Sequence, residues 1–359
     1  MNRFRLLIIN EFKLARTALP IHLVAILQPM LMYLLMTGVL VFATFDMYVA
    51  QPTTEKGRAL VAAMREVRSP IGLPYINPIL VSQEDMAQLE ATAPRQIITV
   101  ESRDGVPTAV QRFGLIDSNQ VKNLRNRLTA AALRLWNAAL GDEAVTIEER
   151  PWLPRDVPYT VYFGLAMLPM ATFVGAVFIG GILTAQDFEF GTIEEFRLSP
   201  IAPVWILGAR LTRLTLSAFL SAGAMVLALG WQTGYWPDSW WRVGLILLPV
   251  AIVGGSLGII IGLMFRRSIP SLLTGLIAAI GGWILGGAFG LVAGFGEFYQ
   301  NLSRLTPHAY AIELLFPRYY GTQVGNPLTA SLALALFGVS FAALAYFAFV
   351  VRLRFSSAD

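Results

Sequence analysis

Long stretches without a single Asp, Glu, Lys or Arg recur along this chain, separated by shorter polar segments. Each exceeds the roughly 20 residues that an α-helix needs to cross a hydrocarbon core about 30 Å thick. They predict six spans, at residues 17–45, 157–184, 210–231, 243–265, 268–294 and 328–351. Six core helices of a soluble protein would need charged outer faces, which these stretches lack. Residues 46–156 differ in composition and read as a soluble domain. Proline-rich stretches, VRSPIGLPYINP (67–78) and PWLPRDVP (151–158), bracket its expected folded part. Between them the pattern predicts a strand at 76–81, a helix at 84–92 and strands at 96–101 and 108–116. A helix at 119–140 and a strand at 145–148 follow. Val121, Leu124, Leu128 and Leu135 share one face of the long helix, with Ser118 placed to cap it and Gly141 to stop it. The fold class expected is an all-α polytopic membrane protein with six transmembrane helices. A small α/β extracytoplasmic domain sits between the first and second spans. The remaining segments are an interfacial helix (1–16), a loop (185–209), an outer-leaflet segment (295–327) and a tail (352–359).

Composition sharpens this reading. Of 359 residues 55% are apolar and only 14% charged, where a soluble chain carries about 25% charged. With no cysteine and only two histidines, His22 and His308, neither a disulfide framework nor a Cys- or His-rich metal site is available. Basic residues set the orientation, because cytoplasmic loops carry the excess of Lys and Arg. With the N-terminus inside, that side collects eleven, Arg197, Arg210 and Arg213 among them, against Arg242, Arg304 and Arg318 outside. Both termini and the 185–209 loop are therefore expected in the cytoplasm, with 46–156 outside. The first span reads as an uncleaved signal anchor, its apolar run being too long for a signal peptide. Burying Arg210 or Arg213 at mid-bilayer would cost about 2.5–3.5 kcal/mol each, so both are expected at the inner interface.

The 185–209 loop carries the most chemistry. Asp187, Glu189, Glu194 and Glu195 surround a Gly191-Thr192 break. Thr192 is placed to cap a short helix with Glu194 and Glu195 in its first turn, where the helix dipole favours acids. Pro200 and Pro203 are expected to end it. Within the spans, Gly254, Gly258 and Gly262 recur every fourth residue, as do Gly282, Gly286, Gly290 and Gly294. Such ladders let helix backbones approach closely in lipid. Pro29, Pro169 and Pro249 are expected to kink their spans. The G-x-S-x-G pattern at 254–258 lies mid-span, without the strand-to-helix elbow a nucleophile needs, so Ser256 reads as packing. Glu297, His308 and Glu313 are the polar candidates for an outer-leaflet pathway, against plain exposure at a span end. The chain has only three lysines, Lys13, Lys56 and Lys122, and none ends a GxxxxGK[ST] phosphate loop.

The loop resembles that of the transmembrane subunits of ABC exporters of the second type, which reads R-E-x-E-x-G-T-x-E-x-L-x-x-x-P. Asp187, Glu189, Gly191, Thr192, Glu194, Phe196 and Pro200 occupy the matching positions, and Gln186 stands where the pattern has Arg. The basic N-terminal helix with Glu11, the Gln28-Pro29 pair and SRLTPHAYAIELLF (303–316) are similar to the family's layout as well. The resemblance implies a bacterial inner-membrane permease subunit, not itself an enzyme, moving an amphipathic drug- or lipid-like substrate. Its partners would be a second permease subunit, identical or homologous, and two cytoplasmic ATPase subunits that bind ATP and Mg. The loop would serve as coupling helix, and no nucleic acid is implied. The readings left open are a mechanotransmission-type ABC membrane subunit, expected with four spans, and a membrane-anchored receptor or assembly protein.

Overall fold

The structure is a computed structural model that describes residues 3–17, 19–41, 45–68, 74–82, 84–85, 88, 97–103, 106–112, 118–140, 159–290, 292, 296–321, 323 and 325–355. In chain order its first helices are α1 Arg3–Thr17, α2 Leu19–Val41, α3 Glu55–Glu66 and α4 Ser118–Leu140. Next come α5 Tyr159–Glu189, α6 Ile193–Leu198, α7 Pro203–Thr233 and α8 Trp240–Phe265. The last are α9 Ser268–Leu285, α10 Glu297–Ser303, α11 Pro307–Tyr320 and α12 Pro327–Phe355. The strands are β1 Phe45–Ala50, β2 Ile76–Val81, β3 Ile97–Arg103 and β4 Val106–Arg112. The chain divides into two compact units, one of residues 1–37 and 151–359, the other of residues 38–150.

Six helices among the described residues, α2, α5, α7, α8, α9 and α12, are long and apolar enough to cross a membrane. The protein is a multi-pass membrane protein. The most apolar stretch of α5 is wholly buried, against 22% for α2, α9 and α12, so α5 is the central helix and those three are peripheral. Their outward residues are apolar too: Leu35, Ile277, Leu328 and Val339 are each about 70% exposed. An apolar exterior around an equally apolar interior is what lipid as solvent requires.

Glycine sets the closest contact in the bundle. A Cβ on Gly254, Gly258 or Gly262 of α8 would come within 2.8, 2.5 and 2.7 Å of the Phe173, Val177 and Gly181 carbonyl oxygens of α5. Real side chains do not fit at those distances, so this ladder holds two backbones together. Ser256, on the same helix, is fully buried with no hydrogen-bond partner for its hydroxyl.

The second ladder departs from expectation. The charge-free run from 268 is longer than its helix, because α9 stops at Leu285 and Gly287 turns the chain with φ +102°. Gly286 caps that end, Gly290 lies in the following turn, and Gly294 falls outside the described residues. Gly282 and Gly286 admit α11 rather than another span: a Cβ on Gly286 would land on Cβ of His308, and one on Gly282 within 3.1 Å of its ring. At the other expected boundaries, α2 ends before Phe45, which already belongs to β1, and α5 runs on to Glu189.

The 38–150 unit carries a four-stranded sheet in the order β2-β1-β3-β4. β1 is parallel to both β2 and β3, with Tyr48 opposite Ile79 and Ile97, and β3 and β4 form an antiparallel hairpin. Met47, Val49, Ile76 and Ile98 point from one face into a core with Leu60, Val61 and Met64 of α3 and Leu128 and Ala131 of α4. Thr54 caps α3 by accepting from the Gly57 N–H at 3.1 Å. Arg127 donates to the Tyr75 carbonyl at 2.7 Å, which ties α4 to the start of β2. The folded part thus begins at β1 and α3, ahead of the first proline-rich stretch, and not at residue 76. The apolar spacing of Leu60, Val61 and Met64 was the available signal for α3. Of the helix expected at 84–92 only Glu84, Asp85 and Gln88 are described, and the strand expected at 145–148 lies outside the described residues.

Candidate functional site

One end of the bundle gathers the ends of α5, α8 and α12 and the starts of α7 and α9. Glu189, in the last turn of α5, accepts from the Ser268 N–H at 2.7 Å and its hydroxyl at 2.6 Å, so a carboxylate sits at the N-terminus of α9. Arg266 and Arg352 stack over the Phe188 ring at 5.7 and 5.8 Å, which brings the end of α12 to the same place.

Beneath this surface lies a buried ionic lattice. Arg210 and Arg213, both in α7, are 4% and 2% exposed. Arg210 Nη1 lies 2.5 Å from Asp187 Oδ2 on α5, and its Nε lies 3.7 Å from Glu11 Oε1 on α1. Arg213 Nη1 donates to Glu11 Oε2 at 3.0 Å. Its Nη2 meets His22 Nε2 of α2 at 3.2 Å, and since Arg can only donate, that nitrogen accepts. Two arginines face two carboxylates, so the lattice is compensated, as buried charge must be. Their pairing partners on α1 and α5 are what let both arginines be buried within the protein.

From this lattice the chain turns outward through α6. Gly191 adopts φ +74° between α5 and α6, a left-handed conformation that favours glycine. Thr192 does not cap α6. Its backbone is helical, and its hydroxyl lies 3.2 Å from Asp187 Oδ1 instead. Asp187 is itself buried and belongs to the lattice, not to the solvated loop. Pro200 follows α6, whereas Pro203 opens α7 at a position where its missing N–H costs nothing. Glu194 pairs with Arg197 at 2.7 Å, and Glu195 is exposed. The Phe196 ring lies 5.5 Å from the Arg210 guanidinium, so α6 rests on the lattice. Ile193 is buried, while Phe190 and Leu198 are 73% and 85% exposed.

Phe190 and Leu198 escape a reading based on charge alone. Both lie outside the spans, where exposed large apolar groups mark an interaction surface. No family model matches this chain, and no curated protein matches it. The site therefore stands on its own geometry: a short helix with an acidic first turn and exposed apolar flanks, seated on buried charges that join α1, α2, α5 and α7.

The other polar candidates lie on α10 and α11. Glu297 is exposed in the first turn of α10. His308 is buried against Gly282, Gly286 and the Phe173 ring, with neither ring nitrogen hydrogen-bonded. Glu313 is half-buried on α11. Glu313 lines a cavity that neither Glu297 nor His308 lines. Among the described residues no group of three or more His, Asp or Glu is placed to hold a metal.

Proposed function

We propose that this chain is the permease subunit of an ATP-driven exporter of the second ABC type, with α6 as its coupling helix. The observation that carries the reading is the joint placement of α6. It lies outside the spans with Phe190 and Leu198 exposed, and its Phe196 and Thr192 touch the charges that fasten α1, α2, α5 and α7 together. In this reading both termini and α6 face the cytoplasm of a bacterial cell, and the 38–150 unit lies outside. Two copies of the chain, or one copy and a relative, work with two ATPase subunits, which hold the ATP and Mg.

The chain's own part is mechanical. A partner gripping Phe190, Leu198 and Glu195 displaces α6. Because Phe196 rests on Arg210 and Thr192 on Asp187, that displacement reaches α7 and α5 directly, and reaches α1 and α2 through Glu11 and His22. Docking can shift the span arrangement only where the partner contacts the two arrangements differently, and α6 supplies that contact. Six spans fit this permease class better than the four-span mechanotransmission class, and a simple anchor has no use for a lattice joining four helices.

A photoreactive side chain at Leu198 tests the reading. In native membranes it should cross-link to a peripheral chain that binds ATP when purified. Cross-links confined to lipid or to this chain itself would refute it.

A further inference from the structure

A second polar feature sits at the far end of α9, away from the lattice. A cavity of about 190 Å³ opens between α10, α11 and the turn after α9, lined among others by Gly286, Ser303, Arg304, Tyr310, Glu313 and Gly325. Drug-sized ligands occupy pockets of about 300–1,000 Å³, so this one is too small for them. At about 30 Å³ per water it has room for about six waters, or a polar group of similar size.

Several lining groups are already engaged. The Ser303 hydroxyl donates to the Gln300 carbonyl at 2.8 Å, and the Tyr310 hydroxyl to the Arg304 carbonyl at 3.1 Å. The charged groups are different. Arg304 and Glu313 line the same cavity, yet no ion pair joins them, although opposite charges at a membrane boundary gain by meeting. Glu313 is held elsewhere. Its carboxylate lies beside the Asn326 backbone and fills the space where a Cβ of Gly325 would stand. Gly325 has φ +71°, so both its backbone and its missing side chain serve this placement. Burial pushes the Glu313 carboxyl above its ordinary range, so a cation arriving there gains more than at an exposed carboxylate.

We propose that this cavity binds a small zwitterion, its anionic group on Arg304 and its primary ammonium on Glu313, as a phosphoethanolamine lipid headgroup presents them. The inference is independent of the exporter reading and needs only that α9 and α12 cross a membrane. An ammonium with N–H donors suits a carboxylate better than a quaternary amine, which can donate nothing. Among the described residues the only aromatic lining the cavity is Tyr310, short of the cage that quaternary amines favour.

The test uses the full chain reconstituted in nanodiscs with equal parts phosphatidylethanolamine, phosphatidylglycerol and phosphatidylcholine of one acyl composition. Lipids retained after re-extraction are counted by native mass spectrometry. Phosphatidylethanolamine should be enriched about tenfold over both others, the worth of one added charge-assisted hydrogen bond. Arg304→Gln and Glu313→Gln should each return the ratio to that of the bilayer. Excess soluble phosphoethanolamine separates the two sources of the chemistry: no displacement marks the lipid as ligand, and displacement marks a free zwitterion that the lipid imitates. Retention at the bilayer ratio by the wild-type chain would overturn the proposal, even if neither variant folds. Enrichment of phosphatidylglycerol alone, or enrichment that both variants preserve, would overturn it too.

Discussion

Arg213 donates to Glu11 at 3.0 Å across 202 positions of sequence, and both side chains are buried. The bond fastens the amphipathic helix α1 to a spanning helix. Removing one partner of a buried pair strands the other charge and costs about 3–5 kcal/mol. Glu11→Ala and Arg213→Ala should each lower stability on that scale, measured by unfolding in detergent. The double variant should cost clearly less than the two single losses added, because no charge is left stranded. Strict additivity would mean that the pair contributes nothing as a pair.

The ladder on α8 gives a sharper contrast between neighbours. Gly258→Ala places a methyl 2.5 Å from the Val177 carbonyl oxygen, and overpacking of this kind costs about 1–3 kcal/mol. Ser256→Ala removes a buried hydroxyl that has no partner, so stability should hold or rise. Thermal unfolding of the two variants checks the pair. A neutral Gly258→Ala beside a damaging Ser256→Ala would contradict the packing assigned to this helix.

The spans were legible because lipid as solvent imposes a one-dimensional rule: about 20 residues without charge. The rule reports apolar length, not helix length, which is why the run after Ser268 outlasts α9 and why Phe45 belongs to a strand. The ladder of Gly254, Gly258 and Gly262 was legible because its spacing is itself the contact. Glu11, Asp187, Arg210 and Arg213 looked like four separate interfacial charges. Their pairing is set by how α1, α5 and α7 cross, which spacing within any one helix does not encode. Thr192 stood where a cap belongs, but the nearer Asp187 carboxylate took its hydroxyl. Phe190 and Leu198, inside the expected loop, went unnoticed because a loop read by its charges passes over its apolar residues.

The topology proposed here can be tested directly, since there is no native cysteine to remove. Glu195→Cys and Arg65→Cys both occupy exposed positions, in α6 and α3. In intact cells a membrane-impermeant maleimide should label Arg65→Cys and spare Glu195→Cys, and opened vesicles should label both. Equal labelling of the two in intact cells would remove α6 from the cytoplasm and the coupling proposal with it.

The central claim is that α6 grips an ATPase and passes its motion to the spans. The most direct measurement purifies the chain from its native membrane and assays the co-purifying material for Mg-dependent ATP hydrolysis. The comparison is with Glu194→Lys combined with Glu195→Lys. Glu194 is about half exposed and Glu195 is exposed, so the reversal leaves the buried lattice intact and the fold should survive. The wild-type chain should bring down ATP hydrolysis. The double variant should lose most of it, more so as salt rises, because exposed charge contacts are screened. If no ATP-hydrolysing chain accompanies the wild type, or if the double variant holds one as firmly at every ionic strength, α6 is a connector and the exporter reading fails.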